Sequence, residues 1–592
     1  DAFATLSVVD LLVDDDLTVT GSVAVTGDYS SATSGTSNLR LGVNAGNSIA
    51  SGGNYNTVVG DEAGTAITTG DTNTLVGMGS GDAIDTGISN TALGHNALGA
   101  DVKGNYSVAI GKGTLSSQSF SSSTSAYNTA VGTSAGNSVT TGTNNTLIGG
   151  LAGDALTTGS DNTVLGNSAL SAGVASFYNT AIGHNALAAD TTGRLSVAVG
   201  RNALAAQNNT SSANMYNTAV GSSAGTAVTT GANNTLIGGL SGDAITTGAN
   251  NTAVGTSALS ANTTASNNTA VGYHSSRDNT TGSTNASFGV NSLRDNTTGS
   301  SNVAIGEAAL LANTSASNNT AIGQVSLFDN TTGAQNTAVG KSALENNTTA
   351  SNNTAVGYQA GLSNTTGTRN VALGNQALDA NTVGDKNIAI GVDALGGNVD
   401  GSRSIAVGDS ALSNQDPASA VEMYNTAVGH GAGASVTTAI ENTLIGGLAG
   451  DAITTGNSNV AVGYLSLSVN TTGASNVGIG VIALDANTTG SDNVGMGRGA
   501  LGANTTASNN TAVGGLALSS NTTAPRNTAV GYQSLYANTT GDNNTAIGEG
   551  SGKSNTTGHN NTFLGQDAGE ANTTGLYNVS VGSDALQANT TA

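Results

Sequence analysis

The stretch Asn336 to Asn352 reads N-T-A-V-G-K-S-A-L-E-N-N-T-T-A-S-N, and Asn353 to Gly361 begins the same phrase again as N-T-A-V-G-Y-Q-A-G. Taking the glycine that ends N-T-A-V-G as position 5 and moving outward gives thirty-two anchors, from Gly42 to Gly582. Of the thirty-one gaps between them, twenty-seven are 17 residues long, one is 18 and three are 21. A period held this strictly identifies one structural unit stacked many times.

Each column of the repeat has a chemistry. Position 4 is apolar in all thirty-two copies, and position 3 is usually Ala, sometimes Leu, Val or Phe. Neighbouring residues of a strand point to opposite faces, so two adjacent apolar columns predict a strand covered on both sides. The larger residues, from Leu41 through Val339 and Ile390 to Val581, are expected inside the coil. The Ala-rich position 3 is then expected against another chain, with simple exposure of a small residue as the competing reading.

Position 9 is Leu in nineteen copies, Gly in twelve and Ser once. In nine of the Gly copies an Ile, Val or Leu stands at position 12, as at Ile67, Leu156 and Val436. Volume-conserving exchange is what a packed interior tolerates, so positions 9 and 12 should fill one space. Position 1 is Asn in twenty-nine copies and Ser in three, Ser107, Ser196 and Ser404. Stacked asparagines can form a hydrogen-bonded ladder. Thirteen of the 14 Lys and Arg fall at positions 6, 10, 14, 16 and 17, Arg40 being the exception, and Pro417 and Pro525 both avoid the strand. Abundant Gly, Thr, Asn and Val exclude helix. The expected fold is an all-β, parallel β-solenoid of about 32 coils, and at ~4.8 Å per coil a rod of roughly 150 Å.

Composition narrows the function. Charged residues are 9 % and aromatics 3 % of the 592, with no Cys and no Trp. Repeating Val, Ile and Leu argue against disorder. A net charge of −23 argues against nucleic acid and anionic membrane surfaces, and no stretch reaches the apolar length of a membrane span. The five histidines, His95, His184, His274, His430 and His559, are scattered, so converging acid–base chemistry is not expected and the chain reads as no enzyme. The four G-D-A steps, at Asp82, Asp154, Asp243 and Asp451, lack the Asp density of calcium-binding rolls, so no metal or cofactor is expected. The N-x-T sequons, such as Asn262-Thr-Thr264, follow from the ladder composition.

Two regions stand apart. Residues 1–37 precede the repeat, and Leu17-Thr-Val-Thr-Gly21 with Val23-Ala-Val-Thr-Gly27 alternate like strands of a capping or joining segment. Residues 38–592 form the continuous repeat, whose last copy runs to Asn589-Thr-Thr-Ala592, an end expected to be covered by a partner or continued by further chain. The three 21-residue units contain Gln118 to Tyr127, Gln207 to Tyr216 and Gln415 to Tyr424. Phe120, Met215, Tyr216, Met423 and Tyr424 concentrate apolar bulk there, which makes them the candidate binding residues, against the alternative that each loop packs on its own coil.

Strings such as Asn302-Val-Ala-Ile-Gly306 and Asn353-Thr-Ala-Val-Gly357, each followed by an A-L or A-G step, resemble the head repeats of trimeric autotransporter adhesins and the shaft repeats of phage tail fibres. The resemblance spans residues 38–592. It implies a left-handed parallel β-roll, assembled as a homotrimer and exposed outside a cell or virion; self-association is the expected partnership, with head-to-tail stacking of copies as a further form of it. On this reading the chain is an extracellular structural fibre or filament subunit. The alternative is a receptor-binding adhesin or tail-fibre shaft meeting a cell-surface or glycan receptor.

Overall fold

In the computed structural model, residues 34–591 are described, and the strands expected over Leu17–Gly21 and Val23–Gly27 lie outside them. The described residues contain no helix and fall into two compact units, residues 34–195 with 208–213, and residues 196–207 with 214–591. The first holds nine stacked three-residue strands, from Leu39–Leu41 to Thr180–Ile182. The second holds twenty-three, from Val197–Val199 to Val579–Val581. Within each unit the strands pair in parallel and in register, Thr337, Ala338 and Val339 facing Thr354, Ala355 and Val356. The expected parallel β-solenoid with its 17-residue coil is the fold. The stacking begins a little before residue 38, since the Tyr55 amide donates to the Thr36 carbonyl at 3.0 Å.

Three residues per strand would hold little, but the ladder continues around the coil. In one coil the amides of Thr337, Ser342, Leu344 and Thr348 donate to Asn353 O, Gln324 O, Ala360 O and Thr365 O at 2.8–3.1 Å. Glycine at position 5 is fixed by this stacking. Gly306 has φ +131°, and a Cβ there would sit 2.6 Å from the Gly323 carbonyl oxygen of the next coil.

The expected facing of the strand is reversed. Ala338 and its equivalents Ala321 and Ala355 are fully buried, whereas Val356 is 38 % exposed and Ile390 36 %. Position 3 is therefore the interior and position 4 the outer surface. The reason is width: a 17-residue coil brings its own backbone so close that a methyl group usually fills position 3. Contact between chains through an Ala face is accordingly ruled out, and a charge at Ile390 would meet solvent rather than core.

Position 9 completes the interior from the far side. Leu344 is buried with φ +49°, a left-handed backbone that costs a leucine about 1–2 kcal/mol. Glycine adopts that conformation freely but leaves a void, and the void is filled as expected. A Cβ on Gly64 would lie 2.8 Å from Ile67 Cδ1 and 2.9 Å from Leu75 Cδ1. Leu75, at position 3, thus shares the space of position 9. The three Gly copies without a large residue at position 12 have the same kind of remedy: Phe563 occupies the space beside Gly552 and Gly569, and Leu344 that beside Gly361.

Two asparagine ladders close the core. At position 1, Asn336 Oδ1 accepts from the Asn353 amide at 2.9 Å while Asn336 Nδ2 donates to Ala350 O at 2.8 Å. At position 12, Asn347 Nδ2 donates to Asn330 Oδ1 at 2.8 Å and to Ala350 O at 3.1 Å, and Asn364 Nδ2 donates to Asn347 Oδ1 at 2.8 Å. These buried amides are therefore paired from coil to coil, as a close-packed polar interior requires, while in the same column Asn262 Oδ1 and Asn572 Oδ1 are buried without a hydrogen-bond partner.

Candidate functional site

The three 21-residue units share a polar device. Each begins with one of the three serines at position 1, and each carries Gln at position 12. Gln118 Nε2 donates to Ser107 Oγ at 3.0 Å, and Gln118 Oε1 accepts from Asn128 Nδ2 at 2.8 Å. Gln415 repeats this with Ser404 and Asn425 at 3.0 and 2.9 Å, and Gln207 with Ser196 and Asn217 at 3.1 and 2.9 Å. The longer glutamine reaches across where the extra residues displace the usual position-15 carbonyl, and serine leaves room for it. The coincidence of Ser, Gln and added length is visible in the repeat columns, and it marks a continuous passage of the ladder around each insertion rather than a gap in it.

In the first unit the device includes a carboxylate. Asp101 is fully buried, accepts from Gln118 Nε2 at 2.7 Å and from the Gly104 amide at 3.0 Å. Burial raises its pKa above the usual carboxylate range, and the Gln118 and Gly104 donors offset part of that rise. The third unit has Asn398 in the same place, accepting from Gln415 Nε2 at 2.9 Å.

The five candidate residues separate into two sets. Phe120, Met215 and Met423 are buried and pack each insertion onto its coil. Tyr216 and Tyr424 are about half exposed at the last position of their 21-residue units, the corner that position 17 forms in an ordinary coil. That corner collects aromatic and cationic groups near the insertions: Tyr106 stacks on Tyr127 with centroids 5.1 Å apart, and Arg403 lies 5.5 Å from the Tyr424 ring while its Nε bonds Glu422 at 2.8 Å. Arg194 sits 4.7 Å over Phe177 in the same way. The Tyr106–Tyr127 and Arg403–Tyr424 contacts are exposed and worth roughly 0.5–1 kcal/mol each, whereas Phe177 and Arg194 are half-buried, with Arg194 Nε out of contact with solvent.

Other polar groups do not converge. His95, His184 and His430 are exposed at position 6, and His430 Nδ1 lies 3.7 Å from Asp409. Among the described residues no three His, Cys, Asp or Glu side chains come together in a metal-binding group. Asp82, Asp154, Asp243 and Asp451 each stand alone at position 10, with the carboxyl pKa raised chiefly by burial. All four close a run of Gly copies, because the next coils return to Leu98, Leu170, Leu259 and Leu467 at position 9. Their G-D steps thus mark a change of core type.

The most extensive surface feature is the one that the strand reversal creates. Positions 2 and 4 of every coil face outward together, as in Thr354 and Val356, forming a two-column strip. No charged residue occupies either column in any of the thirty-two copies. Compared with known proteins, the chain matches no family model and no curated protein.

Proposed function

We propose that this chain is an extracellular structural fibre or filament subunit, non-catalytic, that assembles with further copies of itself. The observation that supports this most is continuity: the same narrow apolar core, the same glycine close approach and the same position-1 asparagine ladder recur through the coils of each unit, the second unit adds the position-12 asparagine ladder, and even the insertions are bridged by glutamine. Such a body gains stability from each neighbouring coil and presents a repeated surface, which is what a scaffold needs. The homotrimeric state implied by the resemblance belongs to this proposal. Cryo-electron microscopy of the native particle tests it: continuous filaments or surface fibres containing the chain are expected, and a dispersed protein of single chains would refute it.

A second reading, an adhesin or tail-fibre shaft, is favoured by the exposed tyrosines and Arg403 at the insertions, since aromatic rings with a polar edge suit glycan or receptor contact. Substitution of Tyr216 and Tyr424 by Ala would then abolish adherence to receptor-bearing cells while leaving the fibres intact.

A further inference from the structure

We infer that the outward strip formed by positions 2 and 4 of the second unit is the surface on which other copies of this chain pack; this rests on the fibre reading and identifies its contact face. Val356, Ile390, Val428, Ile445 and Met496 all expose more than a third of their surface on this strip, side by side in successive or nearby coils. Position 2 beside them is Thr, Val, Ile or Ala throughout the unit. Full burial of such a side chain removes roughly 60–120 Å² of apolar surface from water, so twenty-three coils leave on the order of 1,000 Å² per chain uncovered. That exceeds the largest apolar patch of most monomers, about 300–600 Å², and matches the roughly 800 Å² per partner of a stable interface.

Charge and spacing select a second copy as the occupant. The chain carries −23, and its acidic and basic groups lie off the strip, as with Lys341 at position 6, Arg277 at position 10 and Arg403 at position 17. Two such chains repel on every other face and can approach on this one. A cationic partner would be drawn to the acidic faces instead. A copy also has the same coil spacing, so a contact made once repeats at each coil without drift, which an unrelated flat surface does not offer.

The four methionines provide the test in the unmodified protein. Met496 lies on the strip at 39 % exposure, Met78 lies at position 6 at 51 %, and Met215 and Met423 are buried. Under mild peroxide, assembled protein is expected to oxidise Met496 about tenfold more slowly than Met78, and the difference should vanish on dilution to single chains. Glutamate at four alternate coils, I322E, V356E, I390E and V428E together, should lower the sedimentation coefficient and make Met496 as reactive as Met78, because charges would be buried unpaired. Wild-type protein that assembles yet oxidises Met496 as fast as Met78 overturns the face and leaves the fibre reading standing. Wild-type protein that sediments as a monomer at all concentrations overturns both. If the variant does not fold, the methionine comparison in the wild type decides alone.

Discussion

Removing the carboxamide of Asn347 should open the coil stack locally, and the size of the effect follows from its bonds. Asn347→Ala deletes the donor to Asn330 Oδ1, the second donor to Ala350 O, and the acceptor for Asn364 Nδ2. Ala350 O keeps Asn336 Nδ2, and Asn364 Nδ2 keeps Gly367 O, so only Asn330 Oδ1 is left buried without a donor. At about 1 kcal/mol net for each of the three bonds lost and about 1 kcal/mol, the low end of the usual penalty, for the orphaned acceptor, the change costs about 4 kcal/mol. Because each coil contacts only its neighbours, this appears as local opening rather than global unfolding. Native-state hydrogen exchange of the Thr331 and Thr348 amides, which donate to Thr348 O and Thr365 O, is the assay. Their protection should fall about a thousandfold, at tenfold per 1.4 kcal/mol. The Thr505 amide, several coils away, should be unaffected. Exposed Thr349→Ala, one position beyond the ladder threonine, should change little. Protection of Thr331 and Thr348 within about threefold of wild type would refute the ladder argument.

Two other substitutions probe different terms. Gly306→Ala places a Cβ against the Gly323 carbonyl at a backbone φ of +131°, and should cost about 1–3 kcal/mol in backbone strain alone, with loss of exchange protection at the Gly323 amide that donates to Ile305 O; an unchanged Gly323 amide would contradict it. Asp101→Asn should leave stability unchanged near pH 4 and raise it at pH 7. The raised carboxyl pKa means that the folded state holds its proton more tightly, so wild-type stability declines as pH rises from the unfolded pKa of about 3.9 through the folded value. Exchange or melting at both pH values checks this, and a variant less stable at pH 7 than at pH 4 relative to wild type would reverse the sign.

Much of the fold was legible because stacking imposes columns. The glycine of position 5 is required wherever two coils approach, and the asparagine of position 1 wherever a buried amide must pair along the axis, so both recur without regard to neighbours. The facing of the strand was not legible from size. Val339 is larger than Ala338, and the larger residue reads as core, yet the coil is too narrow to admit it. A usable signal existed in the exchanges: Leu75 stands between Gly64 and Gly81, and Phe563 between Gly552 and Gly569, which ties position 3 to the space of position 9. The insertions were recognised by length and bulk, but Phe120, Met215 and Met423 turned inward, since an apolar side chain on a short loop finds its own coil first. Tyr216 and Tyr424 stayed outside because the last position of the unit is a corner.

The chain contains no cysteine, so a single introduced thiol reports its own environment. Ala338→Cys, Val339→Cys and Thr349→Cys, each labelled with a thiol reagent in dilute, unassociated protein, test the reversed strand directly. Thr349→Cys and Val339→Cys are expected to react readily, and Ala338→Cys only upon unfolding. Labelling of Ala338→Cys as fast as Thr349→Cys, with Val339→Cys protected, would contradict an alanine-filled coil with its valines outside.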